Sequence, residues 1–259
     1  MSAVVDSDAL PLRLRGRTVR IGEPLLMGIV NASPDSFSDP GGRSPDRLVQ
    51  HARELAAAGA ALIDVGGECG RTDKPAVPED EEAARVVPVI ERLAAEGVVV
   101  SVDTWRAPVA AAALAAGAAM VNDVSGLADP RVADACAEAG ASLVITHIDL
   151  AKTPAQSVEL LRGLAELRAL GRPLLLAISR KDFVGALTGR PPRERLAATL
   201  AVLGEAVDGG AAVLRVHDVA AARDYLRVRA ALRGESHVPA DQRLDAALLR
   251  ERGEAPPAV

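Results

Sequence analysis

Aromatic side chains are scarce in this chain of 259 residues: they make up 2%, one Trp, one Tyr and two Phe. A large core must therefore be built from Ala, Val and Leu, and the hydrophobic share of 49% is enough to build one. Cysteine is nearly absent. Cys69 and Cys136 have no metal-like spacing and form no disulfide framework, which suits a reducing, cytoplasmic setting. No run approaches the roughly 18 apolar residues of a membrane span. Alanine-rich runs such as "APVAAAALAAGAAM" are broken by Pro and Gly and read as amphipathic helix running into strand. The N-terminal "MSAVVDSDALPLRLRGR" carries acids and no apolar h-region, so it does not read as a signal peptide. Positive charge is not in excess either. A net charge of −5 argues against a general nucleic-acid binder, whose affinity comes from neutralising phosphates, but allows a local basic pocket for one anion.

One rhythm repeats along the chain. A short apolar run ends in a polar residue, then come a loop, an Ala/Leu/Glu/Arg helix, a Gly, and another apolar run. The runs are "LLMGIVN", "ALIDVGGE", "VVVSVDT", "MVNDVSG", "SLVITH", "LLLAIS" and "AVLRVH". Helices are predicted at about 44–58, 80–96, 107–116, 130–139, 156–170 and 191–208, with glycines at 59, 97, 117, 140 and 171 just past them. Strands apolar throughout and alternating with helices imply a parallel sheet covered on both faces. An open doubly wound sheet and a closed barrel both satisfy the pattern. The first strand, "GIVNASPDSFSD", lacks the glycine fingerprint of a dinucleotide-binding sheet. Polar residues end nearly every strand rather than gathering at one crevice, which favours a TIM-type (β/α)₈ barrel. Residues 1–259 read as a single domain. Within it, 10–24 form a hairpin turned at Arg15-Gly16 that closes the barrel bottom, and about 234–259 form a polar tail. Seven strands can be counted where a closed barrel has eight.

The strand ends carry Asn31; Asp64 with Glu68; Asp103; Asn122 with Asp123; Thr146 with His147; Ser179, Arg180 and Lys181; and Arg215, His217 and Asp218. Any one Asp or Asn ahead of a helix is often an N-cap. Seven strand ends converging on one mouth are harder to explain that way. Asp103 and Asn122 suit the edge of a nitrogen heterocycle, because a carboxylate accepts parallel N–H bonds. Lys181, Arg215 and a protonated His217 suit a leaving phosphate or pyrophosphate. Asn31 is a neutral oxygen ligand of the kind Mg²⁺ accepts beside phosphate oxygens and water. Among these strand-end residues no Cys or Ser is next to a His in sequence, so a covalent nucleophile is not indicated.

"GIVNASPDSFSDPGG", "LIDVGGE", "VSVDTWR", "VNDVSG", "AISRKDFVG" and "LRVHDV" together resemble dihydropteroate synthases, in the family's order from about residue 25 to 219. The resemblance implies condensation of 6-hydroxymethyl-7,8-dihydropterin pyrophosphate with p-aminobenzoate, Mg²⁺ as cofactor, pyrophosphate release and a homodimer. Carried over residue by residue, it implies that Asn31 supports the Mg²⁺–pyrophosphate and that Asp103 and Asn122 bind the pterin. Lys181 would lie against the pterin, Ser179 near the p-aminobenzoate end, and Arg215 and His217 on the pyrophosphate.

Two stretches depart from that pattern. Where the family reads close to G-G-E-S-T-R-P-G, this chain reads "GGECGRTDK". Arg71 is kept, Cys69 and Gly70 replace the hydroxyl pair, and Cys69 reads as a small apolar filler. In "LVITHIDLAKTP" the end of a fifth strand runs into the start of a sixth helix, and the D-P-G of the family's sixth strand is absent. Asp149 does not match that motif's pterin Asp. His147 reads either as a local cap or as a pocket residue, and Lys152 either as a helix-start surface residue or as a pocket residue. Thr199, Arg223 and Tyr225 fall on outer helices without chemistry. Three functions follow in order: an active synthase, a pterin-binding paralogue without synthase activity, and a pterin-binding methyltransferase-like domain. The R-x-H pair and "SPDSFSD" argue against the last.

Overall fold

The structure is a computed structural model and describes residues 10–33, 44–68, 76–145 and 152–248. The chain divides into two compact units, Met1–Arg223 and Asp224–Val259. In the first unit, β1 (Leu10–Leu14) and β2 (Arg17–Ile21) pair antiparallel. Their turn places both Arg15 and Gly16 at positive φ, 46° and 74°, the hand that matches the twist of a two-residue hairpin. Seven further strands follow: β3 (Leu25–Asn31), β4 (Leu62–Gly66), β5 (Val100–Asp103), β6 (Met120–Asp123), β7 (Ser142–Ile145), β8 (Leu174–Ala177) and β9 (Ala211–Val216). They form one parallel sheet in the order β7-β6-β5-β4-β3-β9-β8. The first strand of this sheet, β3, pairs with both the next strand, β4, and the last, β9, the wrap-around order of a nearly closed α/β barrel of the TIM type. Among the described residues β7 and β8 do not pair, and that break falls where the sequence lacks a strand.

The helices are α1 (Pro45–Ala57), α2 (Glu79–Ala95), α3 (Ala107–Ala115), α4 (Arg131–Ala139), α5 (Pro154–Arg162), α6 (Leu164–Arg168), α7 (Asp182–Thr188), α8 (Leu196–Asp208) and α9 (Val219–Leu232). Four acidic residues in the first turn of α2 face its positive end. The predicted helix over 156–170 is two helices broken at Gly163, where the missing side chain weakens helix continuation. α5 opens with a reciprocal capping box. Thr153 Oγ1 accepts from Gln156 N at 3.2 Å, and Gln156 Oε1 accepts from Thr153 N at 2.9 Å. α7 was not foreseen in sequence: it is seven residues long and carries Gly185 at its centre. Among the described residues no helix is long and apolar enough to cross a membrane. In the second unit, residues 234–245 are exposed coil and turn, followed by a 3-10 turn at Ala246–Leu248.

The inner face follows from period two. Leu12, Leu14 and Ile21 of the hairpin pack against Met27, Leu62, Met120 and Val213, which sit near the starts of their strands. These four therefore point inward and form an apolar floor with the hairpin beneath it. Two residues further along the same faces come Ile29, Asp64, Asn122 and Arg215, and then Asn31 and Gly66. A polar storey thus stands directly on an apolar one.

Gly67 lies where α2 approaches the end of β4. A Cβ there would stand 2.8 Å from Glu82 Cγ and 3.0 Å from both Glu82 O and Val86 Cγ1. Gly67→Ala is expected to destabilise the fold by about 1–3 kcal/mol through overpacking. Thermal unfolding checks this, and an unchanged midpoint would show that α2 can shift aside.

Candidate active site

Arg215 links the inner polar groups. It reaches from β9 so that Nε donates to Asp64 Oδ2 at 2.6 Å and Nη2 donates to Asp103 Oδ2 at 2.8 Å. Asn122 Nδ2 donates to the same Asp64 Oδ2 at 3.1 Å. Strand register makes this possible: Gly66 stands opposite Asp103, and Asp103 opposite Asn122. Asn31 stands opposite Gly66 on the other side. Gly66 keeps the space between them open, since a Cβ there would lie 3.4 Å from Asn31 Oδ1 and 3.5 Å from Asp103 Cβ. Asp64 is fully buried, and its Oδ1 has no hydrogen-bond partner among the described residues.

The ends of β8 and β9 form the other half. Ser179 Oγ lies 2.9 Å from His217 Nδ1 and accepts from His217 N at 3.3 Å. One residue further along each strand, Arg180 grips the Asp218 carboxylate with two nitrogens, at 2.7–3.1 Å. Lys181 follows at the N-cap of α7, half-buried. The two strand ends are thus tied side by side, with Lys181 close enough to act electrostatically on both Asp103 and His217.

Two titrations are displaced. Enclosure in the barrel pushes the Asp103 carboxyl up to about 7; Arg215 and Lys181 oppose the rise, and Asp64 adds to it. Burial, helped by Arg180, Arg215 and Lys181, pulls the His217 imidazole down to about 3. Burial thus favours the neutral imidazole of His217 near pH 7. Burial opposes the Arg215 charge while Asp64 and Asp103 favour it, and the balance lies upward.

A second network braces the loop after β4. Arg106 is buried and donates to Glu68 Oε2 at 2.9 Å and to the fully buried Glu82. Burial raises the Glu82 carboxyl, against the pull of Thr104 and Arg106. Glu68 Oε1 accepts from Val77 N at 3.1 Å, and Arg85 donates to Gly67 O at 2.7 Å. The exposed ring of Trp105 lies 4.4 Å from the Arg106 guanidinium.

Of the sequence-predicted residues, Asn31, Asp103, Asn122, Lys181, Ser179, Arg215 and His217 all lie at C-terminal strand ends of the one barrel. Gly70 and Arg71, with Cys69, lie outside the described residues, as do His147 and Asp149. Lys152 is half-buried just ahead of the α5 capping box. Cys136 is a free buried thiol, which burial pushes up to about 11, so it is unreactive. Asp64 was visible as a strand-end acid but was given no role; its signal was its place on the same face as Gly66. Thr199, expected from the sequence to carry no chemistry, does bear on the site. It is a buried residue of α8 whose hydroxyl holds the backbone N–H of Arg180 at 3.1 Å.

A family model described as pterin binding enzyme matches residues 27–153 and 148–217. The chain belongs to the pterin-binding, dihydropteroate synthase family. It is 38% identical to the dihydropteroate synthase of Bacillus subtilis (strain 168) over 75% of this chain and 84% of that protein. It is 36% identical to a protein named inactive dihydropteroate synthase 2 from Mycobacterium tuberculosis (strain ATCC 25618 / H37Rv), over 85% and 86% of the two chains. The structure resembles Xanthomonas albilineans dihydropteroate synthase with 4-aminobenzoic acid. The TM-score is 0.80 at 38% identity, covering 88% of this chain and 100% of that one. The family match is in two pieces that overlap at 148–153, the stretch whose sequence lacks the family's D-P-G motif.

Linkage gives a pH signature. Between the ordinary carboxyl range near 3.8 and about 7, the folded state holds the Asp103 proton that the unfolded chain has released. This contribution to stability is complete below the lower value, falls as pH rises, and is gone above about 7. Asp103→Asn should flatten that fall in thermal midpoints measured from pH 4 to 8. Parallel curves for the two proteins would place the Asp103 titration in the ordinary range.

Proposed function

We propose that the protein condenses 6-hydroxymethyl-7,8-dihydropterin pyrophosphate with p-aminobenzoate to 7,8-dihydropteroate, releasing pyrophosphate, in folate biosynthesis. The observation that carries this reading is Arg215 held between Asp64 and Asp103 beside Asn122, with Lys181 and the Ser179–His217 pair at the adjoining strand ends. Asp103 and Asn122 present acceptors and an amide to the heterocycle edge. Asp64 Oδ1 adds a buried acceptor, and such an atom is stabilised by a donor-bearing ligand. Lys181, the remaining N–H groups of Arg215 and the neutral His217 face the diphosphate. Their preorganised donors favour the charge that builds on the leaving group. Ser179 orients His217 and borders the p-aminobenzoate end. The delocalised pterin cation is then met by the positioned aromatic amine.

Mg²⁺ fits this donor set as a partly protein-bound ion. Asn31 offers one hard oxygen, and Gly66 keeps the space beside it open. No group of three His, Cys, Asp or Glu among the described residues could hold a metal, so Asn31 would share the ion with phosphate oxygens and water. When bound, the ion neutralises diphosphate charge. The reading extends to a cytoplasmic homodimer.

A pterin-binding paralogue without turnover is the second reading. The absent D-P-G, the loss of the Ser-Thr pair and the two-piece family match favour it. Pteroate formation with both substrates and Mg²⁺ decides between them. Turnover is expected, and Lys181→Met should lower kcat about 10²-fold or more. Calorimetric pterin binding without turnover would favour the paralogue, and absence of both would sink the two readings together.

A further inference from the structure

The backbone at the end of β8 is held in an unusual conformation by residues that lie outside the strand ends. Arg180 has φ 58°, in the left-handed region that non-glycine residues seldom adopt. Its N–H donates to Thr199 Oγ1 at 3.1 Å, and its carbonyl accepts from Arg195 Nη1 at 2.8 Å. The same Nη1 donates to Lys181 O at 3.1 Å and Asp182 Oδ1 at 2.9 Å, while Arg195 Nε donates to Arg190 O at 2.8 Å. Arg195 is buried and follows the 3-10 turn Pro192–Glu194. Room for its guanidinium comes from Gly185: a Cβ there would stand 2.2 Å from Arg195 Nη2 and 2.4 Å from Cζ. The Lys181 carbonyl also starts α7, accepting from Val184 N at 3.1 Å and Gly185 N at 3.3 Å. On the far side, the Arg180 side chain is fixed to Asp218, the residue after His217.

We infer that Arg195, with Thr199, is a positioning residue for Lys181. Together they hold the left-handed turn at Arg180, and so set where the Lys181 ammonium meets the substrate. This inference rests on the proposed synthase reading for its consequence in turnover, but not for its geometry. The planar fork of Arg195 serves three acceptors on the loop and one on the following turn. A lysine there would keep the charge and lose that reach. Displacement by about 1 Å at a reacting group can reduce a rate about 10²-fold.

Two readouts on the full chain test it. Lysine occurs only at 74, 152 and 181, so competitive acetylation read by mass spectrometry reports Lys181 individually. Arg195→Met and Thr199→Val should each change the Lys181 rate severalfold and leave Lys74 and Lys152 unchanged. An unaltered Lys181 rate in both variants overturns the inference. In turnover, Arg195→Met should lower kcat/KM about 10²-fold, Arg195→Lys should not restore it, and Arg195→Met added to Lys181→Met should cost little more than Lys181→Met alone. Fully additive losses would mean that Arg195 acts independently of Lys181, and the inference would fall. If the wild-type protein shows no turnover, the functional reading fails and the labelling alone decides this one. If Arg195→Met does not fold, Thr199→Val, which removes a single hydroxyl, carries both readouts.

Discussion

Inside the barrel one guanidinium is shared between two carboxyl groups, and the surrounding structure is arranged to permit it. Arg215 could not stand on the wall of an apolar enclosure without Asp64 and Asp103, nor could they be there together without it, because isolated charges are strongly disfavoured in such surroundings. Three strands from distant parts of the sequence must therefore meet in fixed register. The glycine at 66 and the amide of Asn122 fill the places where a further charge or a larger side chain would upset the balance. Burial is the main reason the Asp103 carboxyl holds its proton; the second acid, Asp64, adds to this, and Arg215 and Lys181 oppose it.

Around this centre the outer helices work as braces for loops. From α2, Glu82 reaches inward to Arg106, and Arg106 reaches Glu68, so the loops after β4 and β5 share one buried ion network. From the start of α8, Arg195 and Thr199 do the same for the end of β8. In both cases a glycine, Gly67 or Gly185, lets the bracing side chain approach closely. The barrel thus keeps its polar strand ends in place with side chains rooted in the helical layer.

The strand ends were legible because a parallel barrel writes its site at regular intervals: an apolar run, then one polar group. That rhythm exposes Asp103, Asn122, Lys181, Arg215 and His217 without a structure. Asp64 is harder to weigh, since it sits two residues below the end of its strand and its importance arises only when Arg215 reaches across β3 to meet it. Arg195 and Thr199 were invisible for a different reason. They lie on a helix start whose periodicity announces only packing, and apart from Asp182 their partners are backbone atoms, which leave no trace in side-chain patterns. α7 escaped because seven residues with a central glycine do not build a helical period. The break between β7 and β8 was readable as a missing motif, because the chain holds too few residues there for a strand, a loop and a helix.

The hairpin under the barrel has a consequence for the electric field above it. Leu12, Leu14 and Ile21 pack there with Met27, Leu62, Met120 and Val213, so the layer directly beneath the charges is apolar. An apolar layer polarises little, so it screens the Asp64–Arg215–Asp103 charges weakly from below. Low-dielectric walls focus the field of the trio toward the polar strand ends, so a molecule settling there and displacing water feels those charges more strongly than it would in bulk solvent.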